Sequence, residues 1–170
     1  STDLPINDGG GAFYSDAQND GIDAFVARFD GDGILQWSTY FGGTGEDEFN
    51  DIAIDPLLGY VYAVGRRGAS SPLQPIAGGI NFTSGNGSIL QFDASNALIW
   101  ANAWDCKEIE AVGTDFFNRF YFTGTTDLIT SSADLPVVNS DPNFPTTQIK
   151  QPNDDTFVSA IRSDGSLEYS

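Results

Sequence analysis

Apolar residues alternate, or nearly alternate, with polar ones along Asp23-Ala-Phe-Val-Ala-Arg-Phe-Asp30 and again along Ile34-Leu-Gln-Trp-Ser-Thr-Tyr-Phe41. Between the two runs sits a cluster of turn formers, Gly31-Asp-Gly33. Period-two patterning on both sides of an Asp/Gly turn predicts a β-hairpin. The phrase returns twice. Its second copy is Gly87-Ser-Ile-Leu-Gln-Phe-Asp93, Ala94-Ser-Asn96 and Ala97-Leu-Ile-Trp100. Its third is Asp155-Thr-Phe-Val-Ser-Ala-Ile161, Ser163-Asp-Gly165 and Ser166-Leu-Glu-Tyr169. Phe29, Phe92 and Ile161 fall at equivalent positions, as do Trp37, Trp100 and Tyr169.

A second type of hairpin lies between these copies. Asp51-Ile-Ala-Ile-Asp-Pro56 and Tyr60-Val-Tyr-Ala-Val-Gly65 flank Leu57-Leu-Gly59. Their counterparts are Glu110-Ala-Val-Gly-Thr-Asp115 and Arg119-Phe-Tyr-Phe-Thr-Gly124, flanking Phe116-Phe-Asn118. Gly59 and Asn118 are the residue types that best tolerate φ > 0, so both are placed in tight turns. Ile52 to Ile54 is a short continuous apolar run, which predicts a strand covered on both faces. Aligned residue by residue, Gly113 stands where the first copy has Ile54. Antiparallel hairpins are therefore expected over 23–41, 51–65, 87–104 and 110–124. No stretch carries a sustained helical period.

The two hairpin types alternate and define a four-stranded unit of roughly 60 residues, longer than a WD repeat. The connections between units also repeat. Asp3-Leu-Pro5 with Phe13 returns as Asp134-Leu-Pro136 with Phe144, and Ser71-Pro-Leu73 to Asn86 is a divergent middle version. Proline in each version keeps these connections out of central strands. Four antiparallel strands repeated at fixed spacing predict an all-β fold of β-propeller blades. Residues 1–45 would close one blade, 46–105 form a complete blade, and 106–170 form a truncated one. That is about two and a half blades of a partial propeller, where closed rings need about four to eight. The chain is thus expected to be a fragment whose missing blades come from more of the same polypeptide or from other subunits.

Several phrases occur together and in order: Ser38-Thr-Tyr-Phe-Gly-Gly-Thr-Gly-Glu-Asp47, Asp51-Ile-Ala-Ile-Asp55, Tyr60-Val-Tyr-Ala-Val-Gly65 and Asp23-Ala-Phe-Val-Ala-Arg28. With Thr2-Asp-Leu-Pro5 and Gly11-Ala-Phe13, they resemble the bacterial β-propeller repeat family often abbreviated SBBP. The second copy departs from that pattern, with Ala101-Asn-Ala-Trp-Asp105 in place of the Ser-Thr-Tyr-Phe-Gly phrase. The resemblance implies a secreted or cell-surface bacterial protein, a class that includes proteins exported by Bacteroidetes through the type IX system. It implies no common catalytic residue.

Composition narrows the partners. A formal charge of −17 with only seven Lys plus Arg argues against nucleic acid and anionic membranes, both of which need a basic surface. No apolar run approaches the ~20 residues of a membrane span, so no membrane insertion is expected. Cys106 is the single cysteine, which rules out a disulfide within the chain. With no Met, residue 1 reads as a processed or excerpted start.

Candidate chemistry is sparse. Asp30 and Asp32, in Asp30-Gly-Asp-Gly33, resemble the opening of a Ca²⁺ loop, whose oxygen ligands come at alternate positions. The rest of that pattern is missing, and a hairpin turn accounts for the same residues. Glu46-Asp-Glu48 and Asp154-Asp155 are further acidic groups that an ion site between units would use. The absence of His excludes histidine triads and His/Cys zinc sites within this chain. Trp37, Trp100 and Trp104 are candidates either for stacking on a ligand such as a sugar or for packing at an interface. Asn81-Phe-Thr83 and Asn86-Gly-Ser88 match the glycosylation acceptor pattern, which in a bacterial chain reads as chance. No cofactor is expected, Ca²⁺ apart. The favoured function is a non-catalytic structural or interaction module of a larger protein. The alternative is a propeller that binds or cleaves glycans, for which the plentiful carboxylates and these tryptophans are the sequence support.

Overall fold

The computed structural model describes residues 4–9, 15, 21–77, 79, 81, 84–126 and 155–169. Their regular structure is strand, without a helix: β1 (Gly21–Ile22), β2 (Ala24–Phe29), β3 (Leu35–Phe41), β4 (Gly45–Glu46), β5 (Glu48–Ile54) and β6 (Val61–Arg66), then β7 (Gly87–Phe92), β8 (Leu98–Trp104), β9 (Glu108–Thr114), β10 (Arg119–Thr126), β11 (Asp155–Arg162) and β12 (Leu167–Tyr169). All four expected hairpins form, as β2–β3, β5–β6, β7–β8 and β9–β10. Thr2, Asp3, Phe13, Phe82, Thr83, the loop with Asp134-Leu-Pro136 and Phe144, Asp154 and Ser170 lie outside the described residues.

The antiparallel strands make three sheets. β2–β3 is the first, β5-β6-β7-β8 the middle one, and β9-β10-β11-β12 the third. In the two larger sheets each strand lies beside its neighbour in sequence, an up-and-down meander. A short parallel pair, β1 with β4, sets Gly21 opposite Gly45 and Ile22 opposite Glu46. The stretch Ser71 to Asn86, expected to link units, instead joins β6 to β7 within the middle sheet. Gln74 in it bridges to Ala101 on the outer edge of β8, as Asn7, ahead of the first sheet, bridges to Ser38 on β3.

The turns repeat in their chemistry. Gly59 has φ 69° and Asn118 φ 58°, so both occupy the left-handed region, and a side chain at Gly59 would be strained. In each turn an aspartate accepts hydrogen bonds from the loop. Asp55 Oδ1 takes the amides of Leu57 and Leu58 at 2.8 and 2.7 Å, and Asp115 Oδ1 takes the amide of Phe117 at 2.7 Å. The Asp55 amide donates to the Tyr60 carbonyl, but the Asp115 amide donates to that of Arg119. The second turn is therefore one residue shorter. Ile54 pairs with Val61 and Thr114 with Phe120, so Thr114 is the counterpart of Ile54, not Gly113.

A β-bulge recurs at one place in both larger sheets. Phe49 pairs with Gly65 and Asp51 with Val64, leaving Asn50 as the extra residue. Ile109 pairs with Gly124 and Ala111 with Thr123, leaving Glu110 extra. A Cβ on Gly65 would collide with the Glu48 carbonyl, and one on Gly124 with that of Glu108. Glycine is needed at both positions for close backbone approach.

Two apolar clusters lie between sheets. One joins Val26, Trp37 and Phe41 of the first sheet to Ala63, Leu90, Phe92 and Ala101 of the middle sheet. The other joins Tyr62, Val64, Ile89, Trp100 and Trp104 of the middle sheet to Ile109, Phe120, Phe122 and Ile161 of the third. Successive residues of the middle strands, such as Tyr62 and Ala63 or Ile89 and Leu90, go to opposite clusters, following the period of a strand. Each large side chain buried this way contributes roughly 1.5–3 kcal/mol. β5 departs from expectation. Ile52 and Ile54 are more than half exposed, so only one face of that strand is covered.

Candidate functional site

Of the two aspartates in the first turn, Asp30 is engaged locally, while Asp32 is exposed and contributes its backbone amide. Asp30 Oδ1 accepts the amides of Asp32 at 3.0 Å and Ile34 at 2.9 Å, while its Oδ2 accepts the Gln36 side-chain amide at 2.8 Å. Asp93, at the same place in the next copy, takes the Ser95 amide and hydroxyl and the Ala97 amide. Asp164 does likewise with Ser166. These hydrogen bonds, led by the serine hydroxyls, hold Asp93 and Asp164 below the ordinary carboxylate range. They are the bonds of an Asx turn.

The Glu46-Asp-Glu48 triplet is divided. Glu46 and Glu48 pair with Arg66 at 2.7 and 3.5 Å. Asp47 is buried and accepts the Gly43 amide at 3.1 Å, the Gly68 amide at 3.0 Å and the Ser71 hydroxyl. It ties the connection after β6 to the segment before β5. Among the described residues, no group of three or more His, Cys, Asp or Glu is arranged to hold a metal ion. Cys106 is buried in the second cluster. Burial, with Asp105 adding to it, pushes its thiol up to about 12, so it stays protonated at neutral pH.

Trp37, Trp100 and Trp104 are all buried between sheets. Trp37 meets Phe92 edge-on with centroids 5.3 Å apart, and Trp104 meets Phe122 the same way at 4.9 Å. Trp100 lies 5.9 Å from Phe120 and 6.4 Å from Tyr62, which is itself stacked on Phe120 at 4.3 Å. Burial drives the Tyr62 hydroxyl to a higher pKa, and it accepts a hydrogen bond from the Gln91 amide at 3.0 Å. Each of the three indoles thus packs against at least one protein ring.

The exposed apolar surface is ordered by position in the stack. Phe29, Phe92 and Ile161 are equivalent, yet they keep 55%, 0% and 2% of their surface exposed. Each points toward the sheet that precedes its own, and the first sheet has none before it. Val26, Ile89 and Val158 form the opposite series, facing the sheet that follows, with 6%, 1% and 54% exposed. Here the third sheet is the one left uncovered.

Between the first and middle sheets opens a cleft of about 450 Å³. Val26 and Trp37 line one wall, with Ile52, Ile54 and Val61 on the other. Arg28 spans it, donating to the Ala94 carbonyl and Asn96 Oδ1 at 3.2 Å each. The sequence pattern does not single out this cleft. Its one trace there is Ile52-Ala-Ile54, apolar on a face that has no cover. In the third sheet the turn carrying the exposed Phe116 and Phe117 is braced by Arg119. That guanidinium lies over the rings of Phe117 and Tyr121 and pairs with Asp115 at 2.6 Å. Partial burial opposes ionisation of Asp115. The hydrogen bonds from Arg119, Phe117 and Tyr121 outweigh it and hold the carboxyl at about 2.

No family model matches the chain, and no curated protein matches it either. No helix among the described residues is long and apolar enough to cross a membrane.

Proposed function

We propose that this chain is a non-catalytic structural or interaction module, built of β-propeller blades, within a larger secreted or cell-surface bacterial protein. One observation carries it. The same apolar positions are buried where a neighbouring sheet is present and exposed where none is, at both ends of the stack. Surfaces of that kind call for further sheets of the same type, since a monomer seldom leaves such faces open. The resemblance of the Ser38–Asp47, Asp51–Asp55 and Tyr60–Gly65 phrases to SBBP repeats supports the same reading and suggests export to the cell surface. The meander order of the two larger sheets is the strand order of a propeller blade. The glycan alternative loses its tryptophan platform, because all three indoles are buried.

The test uses the 170-residue chain in isolation, by light scattering and binding of a hydrophobic dye across a dilution series. Self-association or strong dye binding at neutral pH is the expected result. A monomer that unfolds cooperatively and ignores the dye would count decisively against the need for neighbouring sheets.

A further inference from the structure

The first sheet differs from the other two in the strands it holds. β7 lies between β6 and β8, and β11 between β10 and β12, but β2, their equivalent, pairs with β3 alone. Its other edge is open among the described residues. An open edge is a template for another strand. The cleft lies beside this edge, and the neighbouring interface shows what fills the corresponding space.

At the middle-to-third interface that space holds Tyr62 of β6. Its ring lies against Phe120 and beside Trp100, and its hydroxyl meets Gln91. The counterparts of Phe120, Trp100 and Gln91 one repeat earlier are Val61, Trp37 and Arg28. The first two line the cleft, and Arg28 reaches across it with hydrogen-bond donors to spare. β5, one strand further in, lies along β9. There Asn50 donates to the Ile109 carbonyl, and Asp51 accepts the Val112 amide, both at 2.9 Å. Val112 is packed at that interface, whereas its counterpart Ile52 is open to the cleft.

We infer that the open edge of β2 and the adjoining cleft form a docking site for an antiparallel β-hairpin of the same repeat type. Its register follows from the two interfaces already present. Tyr62 pairs with Gln91 and Tyr121 with Ala160, so the incoming strand sets a tyrosine opposite Arg28. Gly65 pairs with Ser88 and Gly124 with Phe157, so a glycine stands opposite Phe25. The tyrosine ring enters between Trp37 and Val61, and its hydroxyl accepts a hydrogen bond from Arg28. The second strand of the hairpin covers Ile52 and Ile54. This docking rests on the blade reading above and adds to it the identity and alignment of the missing neighbour.

The chain supplies its own probe, a labelled peptide of residues 48–66, titrated with the full 170-residue chain at concentrations where light scattering finds a monomer. Saturable binding is expected, with slowed amide exchange over Ala24–Phe29. Replacing Tyr62→Ser in the peptide should weaken binding about tenfold or more, the loss of a buried aromatic ring. Ile52→Ser and Ile54→Ser in the chain remove exposed side chains that folding does not need, and each should weaken binding. Phe116→Ser, on the turn of the third sheet and not among the cleft residues, should leave it unchanged. The docking site is overturned by no saturable binding up to about 1 mM peptide, an affinity too weak for specific recognition. Binding indifferent to the peptide tyrosine or to Ile54, or exchange protection elsewhere than on β2, overturns it equally. A stable, closed monomer in the dilution test removes the blade reading and leaves this titration readable. A self-associating chain that ignores the peptide removes only the docking site.

Discussion

β6 and β10 occupy equivalent places in adjacent sheets and are treated differently. In β6 every residue from Tyr62 to Gly65 is buried, so both faces of the strand are covered. In β10 buried Phe120, Phe122 and Gly124 alternate with half-buried Tyr121, Thr123 and Thr125. Tyr62 and Tyr121 are the same residue at the same repeat position. The first is sealed between Phe120 and Trp100, while the second sends its hydroxyl to Asp115 at 2.8 Å near the surface. The residue type does not decide between these outcomes. A sheet on the far side of β6, and the lack of one beyond β10 among the described residues, does. Burial in this molecule is a property of place in the stack.

The sharpest break in that comparison would come from the two tyrosines. Tyr62→Ala should cost ~3–5 kcal/mol in chemical denaturation, as removing a buried aromatic ring does. Tyr121→Ala should cost about 1 kcal/mol, chiefly its hydrogen bond to Asp115. Equal losses would mean that the third sheet packs as tightly as the middle one.

The series facing the following sheet offers a second contrast. Ile89→Ala opens a cavity in the core and is expected to lower stability by ~2–4 kcal/mol. Val158→Ala, at the open end, should change it by no more than about 0.5 kcal/mol. If further sheets were supplied, by a longer polypeptide for instance, the Val158 penalty should rise toward that of Ile89. A Val158 penalty already as large in the isolated chain would refute the assignment of an uncovered face.

Turn geometry should be indifferent to place in the stack, which makes it a useful control. Gly59→Val forces a β-branched residue to φ 69° and should destabilise by ~1 kcal/mol or more. Asn118→Gly relieves a left-handed non-glycine residue and should be neutral to within about 0.5 kcal/mol. An unchanged melting temperature for Gly59→Val would show that the turn relaxes freely.

The smallest effect concerns pH. The Asp115 carboxyl lies at about 2 in the folded chain against an ordinary value of 3.8. A depressed folded pKa contributes stability that is fully present above 3.8 and is lost as pH falls toward about 2. Denaturation midpoints of the chain and of Asp115→Asn should therefore differ by a constant amount above pH 4 and converge between 3.8 and about 2. A gap that persists below pH 2 would assign the effect to packing of Arg119 and Phe117 instead.

The sequence by itself determined the strands, their hairpins and the residues that turn them, because these depend on local physics. Alternation with period two is a property of a few consecutive side chains, and the choice of Gly59 and Asn118 is a property of one backbone torsion. Equivalence of Phe29, Phe92 and Ile161 was legible for the same reason. The alignment slipped by one residue at Ile54, since only the hydrogen bonds of Asp55 and Asp115 reveal that one turn is shorter. Tertiary structure alone decided which of the equivalent residues are buried, where Asp47 finds Gly43, Gly68 and Ser71, and that Arg28 bridges to Asn96. It also decided that Ile52 and Ile54 face a cleft rather than a core. Those outcomes join residues distant in the chain, and a strand's own pattern shows which side chains share a face but not what stands opposite it.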